Sequence, residues 1–260
     1  MPQLHLCTFN VKNDNLLNKS IDFNIRKIYK QLIFDYQIDI LCTQEMIEST
    51  LNEIQKEFPN YHVVGDYRYG NNLFSKQIKR VKKFNESNHI ISSYKIEKGK
   101  TTSLPWFPRS LKELYDGTLK YKSITPRIVT EAVFNVSGKK IRVINTHLDS
   151  HLRGIQKLQF MKLESIVKKG RLPVVLTGDF NTTIEDKNFQ EFIKNLNKKG
   201  LKKLEIPGKT FKKAKNNLAI DHIFIPKDWQ VKEIKIINEE YLKGYSDHYP
   251  VVADILIPEN

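Results

Sequence analysis

The sequence predicts a mixed-sheet α/β layered protein on three observations. Its strand-like segments are both alternating and continuously apolar, several amphipathic helical segments lie between them, and a clear hairpin signal argues against a simple doubly wound sheet. At 260 residues the chain can bury a sizeable core, and no break in composition divides it. One domain over residues 1–260 is expected, without repeats or low-complexity tracts.

Residues 3 to 11 alternate and are β-rich, a strand. Ser20 is placed to cap a helix running to about Tyr36, with Ile21, Ile25, Ile28 and Leu32 on one face. "IDILCTQE" is a short buried strand ending in Glu45, and a helix over about 47 to 58 stops at "FPN". Tyr61 to Tyr69 predicts a strand, 70 to 87 a lysine-rich loop, and "HIISSYKI" another strand. Residues 97 to 126 lack periodicity and predict a long surface connection, the kind of loop that tends to be functional or mobile. "RIVTEAVFNVSGKKIRVINTHLD" predicts two strands around Ser137-Gly138. A helix over about 150 to 169 carries Leu152, Ile155, Leu158, Leu163 and Ile166. The strand "PVVLTGDFN", a helix over about 185 to 199, and strands near 219 to 225, 230 to 238 and 248 to 256 complete the chain.

The formal charge is +14, which suits a polyanion such as nucleic acid or an anionic membrane surface. The basic residues are mostly lysine, with eight arginines, and a solvated lysine-rich surface accounts for them equally well. The densest segments, Lys76 to Lys83 and Lys194 to Lys215, are candidate phosphate-contact surfaces. Cys7 and Cys42 lie in strands without metal-ligand spacing, so they read as reduced packing residues. The start shows no basic leader or secretory helix, and no apolar run reaches membrane-span length; a soluble cytoplasmic protein is expected.

The chemistry lies at the strand ends. "TFN" ends in Asn10, "CTQE" in Glu45, and "NTHLD" carries Asn145 and His147. "TGDFN" carries Asp179 and Asn181, "AIDHIF" Asp221, and "GYSDH" Ser246, Asp247 and His248. Singly, each has a structural explanation as a cap or turn residue. Together they are groups suited to a hard cation and a phosphate. Mg²⁺ takes oxygen ligands and keeps several waters, so one or two carboxylates suffice, and Glu45, Asp179 and Asp247 supply them. No His/Cys cluster at zinc spacing competes. If the strand runs on, Asp179 and Asn181 point to one side, with Gly178 permitting a sharp turn. Asp221 could fix the tautomer of His248 and favour its protonated form.

These motifs, in the order "TFN", "QE", "PRIVTEAVF", "VINTHLD", "VVLTGDFN", "IDHIFI", "GYSDHYPVVADI", resemble the endonuclease/exonuclease/phosphatase superfamily of DNase I-like metal-dependent phosphoesterases. The resemblance runs from about residue 4 to 256, and "SNHIISSYKI" extends it. It implies a four-layer α/β sandwich of two mixed sheets flanked by helices, with a site at one edge. By similarity Glu45 is the principal metal ligand, with Asn10 beside it and Asp247 able to join; the cofactor is Mg²⁺, or Mn²⁺. Asp179 orients or deprotonates the attacking water, and Asn181 holds it and the phosphate. His248, paired with Asp221, contacts the phosphate. His147 lies across the site as phosphate ligand or acid, with Asn88 near it, and Arg127 grips a phosphate oxygen. Lys12 stands where abasic-site endonucleases carry an acidic residue, and the disulfides of secreted nucleases are missing; both count against those branches.

The implied activity is Mg²⁺-dependent hydrolysis of a phosphodiester by a metal-activated water, with nucleic acid as the first substrate class. Net charge supports it, as do Tyr67, Tyr69, Trp106 and Phe107, which could stack on bases or pack within their loop. A phosphatase or phosphodiesterase acting on a lipid headgroup or small phosphorylated metabolite is the alternative. A non-catalytic polyanion-binding protein is a third, and no obligate protein partner is evident. Chelation separates enzyme from binding protein.

Overall fold

The structure is a computed structural model that describes residues 1–12, 25–68, 85–106, 126–213 and 218–259. One sheet contains β1 (Gln3–Asn10), β2 (Ile40–Met46), β3 (His62–Tyr67), β4 (Ser87–Ser92), β11 (Gln230–Ile236) and β12 (Val251–Leu256), in the order β11-β12-β1-β2-β4-β3. The other contains β5 (Ile96–Ser103), β6 (Ile128–Val136), β7 (Lys139–His147), β8 (Val174–Asp179), β9 (Leu201–Lys203) and β10 (Asp221–Pro226), in the order β5-β6-β7-β8-β10-β9. Each sheet is mixed: β1 and β2 pair parallel in the first, β7 and β8 in the second, and the remaining pairs are antiparallel.

The layering follows from the period of two along each strand. In β1, Leu4 and Leu6 face the second sheet, where they meet Val143, Val175 and Ile223, while Cys7 and Phe9 face the helices. Helices α1 (Ile25–Asp35) and α2 (Glu48–Glu57) cover that outer face through Ile28, Tyr29, Leu32, Leu51 and Ile54. Helices α3 (Arg153–Val167) and α4 (Lys187–Lys198) cover the outer face of the second sheet, where Phe160, Phe189 and Phe192 stack and Phe180 and Phe224 complete the cluster. Asp186 caps α4 by accepting from the Phe189 amide at 3.1 Å. The result is the expected four-layer sandwich: helices, sheet, sheet, helices.

The same alternation positions the site. Past Val143 the inner face of β7 continues to Asn145 and His147; past Val175, β8 continues to Thr177 and Asp179; before Ile223, β10 begins at Asp221. The seam between the sheets thus changes from apolar to polar at one end. A buried amide network pins that end: the Asn145 amide donates to the carbonyls of Thr43 (2.8 Å) and His89 (2.9 Å), and Gln44 donates to Asn145 Oδ1 at 2.7 Å.

Several boundaries differ from the expectations. Strand β5 occupies the start of the segment read as a connection from 97, because its lysines and threonines hide its pairing with β6. "HIISSYKI" is the end of β4, a break, and the first residue of β5. The three-residue β9 is too short to leave a periodic signal. Ser20, Lys76 to Lys83, and Tyr69 and Phe107 lie outside the described residues, as does part of Lys194 to Lys215. Cys7 and Cys42 are free and buried. Among the described residues no helix is long and apolar enough to cross a membrane.

Candidate functional site

Asp179 is the hub of the polar seam. Its side chain is 1% exposed, accepts the Asn181 backbone N–H (2.8 Å) and the Asn10 amide (2.9 Å), and lies 3.5 Å from His147 Nε2 and 3.7 Å from His248 Nε2. Burial, and then the neighbouring Asp221, raise its pKa from the ordinary carboxylate range, and His248, Asn10 and Asn181 oppose them. The strand stops at Asp179, and Asn181 follows in a left-handed conformation (φ 51°) with its amide donating to the Leu148 carbonyl. The two side chains therefore do not project as strand neighbours; Asn181 meets Asp179 through its backbone. Gly178 serves close approach instead of a sharp turn. It is paired within β8, and a Cβ there would lie 1.9 Å from the Thr146 carbonyl oxygen.

Glu45 reaches the site by breaking the alternation of β2. Regular pairing would turn Gln44 inward and Glu45 toward the helices. A bulge between Thr43 and Met46, with Glu45 at φ 57°, brings its carboxylate to 3.7 Å from His147 and 3.1 Å from the Asn10 amide. Asn10 thus bridges the carboxylates of Glu45 and Asp179.

On one flank, His248 Nδ1 meets Asp221 Oδ2 at 2.9 Å. Burial works against charge on this imidazole, but Asp221, Asp179 and Asp247 outweigh it and raise its pKa well above the ordinary value. The other flank carries His147, with Arg68 Nη2 2.7 Å from Nδ1 and Arg127 Nη1 3.0 Å from Nε2. Burial, Arg127, Arg68 and then His248 hold its pKa well below the ordinary value, so His147 is neutral.

Asp247 and Asn88 have partners beside this cluster. Asp247 forms an ion pair with Lys12, whose backbone N–H donates to Asn10 Oδ1 at 3.1 Å. Asn88 donates to the Ile128 carbonyl, beside Arg127, and its Oδ1 has no partner among the described residues.

The donors fit a hard divalent cation. Glu45 and Asp179 are carboxylates bridged by the Asn10 amide and flanked by His147, and a cation would offset the burial that raises Asp179. Ligand atoms of Asp179, Asp221 and His248 also lie within 4.8 Å of one another. There, however, His248 Nδ1 is already taken by the hydrogen bond to Asp221, whereas Glu45 and Asp179 offer a pair of carboxylates across the Asn10 amide.

Sequence reasoning missed Arg68, which follows β3 in a polar stretch, and the bridging role of Gln44 and Asn145. For the amides the available signal was their place in alternation, continuing the inner faces of β2 and β7.

A family model described as Endonuclease/Exonuclease/phosphatase family matches residues 7–248. Among solved structures, an endonuclease/exonuclease/phosphatase from Bacteroides vulgatus aligns at 24% identity and TM-score 0.76, covering 99% of this chain and 100% of that one. A mannosyl-6-phosphatase from Bacteroides thetaiotaomicron aligns at 19% identity and TM-score 0.73, covering 98% and 100%. D. rerio TDP2 complexed with a single-strand DNA product aligns at 15% and 0.69, covering 98% and 99%. At these identities the likeness is one of fold. No curated protein matches the sequence.

Proposed function

Because the chain belongs to the endonuclease/exonuclease/phosphatase family and is a metal-dependent hydrolase of phosphate ester bonds, we propose that water attacks phosphorus in line at the Asp179 seam, without a covalent enzyme intermediate. The observation that carries this reading is the convergence of Asn10, Glu45, His147, Asp179, Asp221 and His248 within hydrogen-bonding or ion-pair distance of one another.

Glu45 would hold the divalent cation, Mg²⁺ or Mn²⁺, with Asp179 beside it and Asn10 bridging the two carboxylates through its amide N–H groups. When bound, the cation supplies neutralisation of charge on the phosphate and on the departing oxygen. Asp179, buried between His147 and His248, takes the proton from the attacking water. The Asn181 N–H fixes the orientation of that carboxylate. His248, kept cationic by Asp221, faces the non-bridging oxygens and stabilises charge that grows on them. His147 and Arg127 contact the phosphate from the opposite flank. Asp247, neutralised by Lys12, is assigned no metal.

For the substrate, the net charge of +14 supports the phosphodiester of a nucleic acid. Aromatic stacking supports it less, because the half-buried Tyr67 ring packs edge-on against His89. A phosphomonoester is the second reading, favoured by the two guanidinium groups at His147.

The test is hydrolysis of bis-p-nitrophenyl phosphate, p-nitrophenyl phosphate and single-stranded oligonucleotides by purified protein. Activity should vanish with EDTA and return with Mg²⁺ or Mn²⁺. The reading fails if none of these esters is cut with either metal, while Glu45→Ala binds metal as well as the wild type. Salt-sensitive polyanion binding that survives chelation would mark a binding protein instead.

A further inference from the structure

His147 presents both ring nitrogens to guanidinium groups: Nδ1 to Arg68 at 2.7 Å and Nε2 to Arg127 at 3.0 Å. A neutral imidazole has one donor and one acceptor nitrogen, and a guanidinium has donors only. One of these contacts can be a hydrogen bond; the other sets N–H against N–H. The mismatch is deeply buried, with Arg68 8% and Arg127 5% exposed. Arg68 has a carboxylate, Glu86, at 2.6 Å. Among the described residues Arg127 forms no ion pair, and its Nε has no hydrogen-bond partner. Buried cationic donors are ordinarily paired, because an uncompensated buried charge costs several kcal/mol. Burial and then repulsion from Arg68 lower Arg127 to about 10 against the pull of Glu45, Asp149 and Glu86; the mismatched guanidinium contact and the unpartnered Nε leave the cluster suited to an anion.

The cluster adjoins the reacting centre, since His147 Nε2 lies 3.5 Å from Asp179 and 3.7 Å from Glu45. We propose that Arg68, Arg127 and His147 form a cradle for a dianionic terminal phosphate, with Arg68 as a specificity-determining residue that favours phosphomonoesters over phosphodiesters. The proposal rests on the hydrolase reading for its placement and chooses, of its two substrate readings, the phosphomonoester. Three separate stations surround Asp179: Asn10 with Glu45, His248 with Asp221, and His147 with its two guanidiniums. With a cation held at the first station, a monoester would have three non-bridging oxygens, one for each station, whereas a diester has two and leaves one station empty. The guanidinium fork also matches phosphate oxygens in a way lysine does not.

The experiment compares wild type, Arg68→Gln and Arg68→Lys. Hydrolysis of p-nitrophenyl phosphate and bis-p-nitrophenyl phosphate is measured with Mn²⁺. Thermal melting is measured separately in EDTA against inorganic phosphate and dimethyl phosphate. Wild type should prefer the monoester, and inorganic phosphate should raise its melting temperature where dimethyl phosphate does not. Both variants should lose about 10²–10³-fold in kcat/KM on the monoester and less than about 3-fold on the diester, together with the phosphate-induced shift. Equal losses on both esters, or retention of the phosphate shift in Arg68→Lys and Arg68→Gln, would overturn the cradle. If wild type cuts neither ester, the hydrolase reading fails, and the melting experiment in EDTA still decides whether the anion site exists. If the variants do not fold, the wild-type contrast between the two phosphates decides it.

Discussion

His248 Nδ1 lies 2.9 Å from Asp221 Oδ2, with Asp221 1% and His248 5% exposed. Asp221 opens β10 of the second sheet, and His248 precedes β12 of the first. A carboxylate so placed fixes the ring and keeps its charge.

Asp221→Asn therefore removes the charge partner while preserving shape. We expect kcat to fall about 10²–10⁴-fold with KM changed much less. In metal-free protein, the His248 ring titration followed by NMR should move down toward the ordinary histidine range. An unchanged midpoint would show that Asp221 does not hold the proton there.

Glu45→Gln keeps size and removes one negative charge from the cation site. Hydrolysis should drop about 10²–10³-fold, and Mn²⁺ binding measured by calorimetry should weaken at least about 10-fold. Full Mn²⁺ affinity in this variant would move the metal elsewhere.

Gly178→Ala drives a methyl into the Thr146 carbonyl at 1.9 Å, at a φ of 139° that disfavours any side chain. The loss should exceed about 3 kcal/mol, read as a large drop in melting temperature or as insoluble protein. Gly154, in helix α3 with open space where its Cβ would be, is the control: Gly154→Ala should stabilise by up to about 1 kcal/mol.

Three buried imidazoles make stability sensitive to acid: His147, held well below its ordinary value, and the pair His89 and His222. Burial lowers both His89 and His222 from 6.5 to about 4. Between those values the unfolded chain binds protons that the folded chain refuses, so stability falls as pH drops from about 6.5 toward about 4 and is indifferent to these groups above that window. At pH 5 the cost is about 2 kcal/mol for each. Asp179, raised to about 7, works the other way over this range, so the test compares variants: relative to wild type, His222→Gln, which can keep the bond to the Thr182 carbonyl, should gain about 2 kcal/mol in urea denaturation on going from pH 7.5 to 5.0. An equally steep dependence in that variant would rule out His222 as a source.

Much of the site was legible because a strand's inner face alternates strictly. Asn10, His147, Asp179 and Asp221 each extend an apolar inner face, so their side chains share a direction that can be read from residue order. Glu45 was found as a strand-end carboxylate, although alternation points it the wrong way; the bulge that redirects it leaves no periodic trace. Arg68 was not found, since nothing in "DYRYG" marks that one arginine as buried against a histidine 79 positions away. Strand β5 was hidden because it pairs along an edge with polar side chains on both faces.

The site's six central polar groups divide evenly, with Asn10 and Glu45 on the first sheet and His248 just before its strand β12, and with His147, Asp179 and Asp221 on the second sheet. Neither slab owns a working half. Sliding one past the other by a single residue, about 3.3 Å, would leave the greasy interior nearly as full yet pull each cross-slab pair out of reach. Catalytic competence thus gauges alignment more finely than folding does, and the Gln44–Asn145 pin is where that alignment is set.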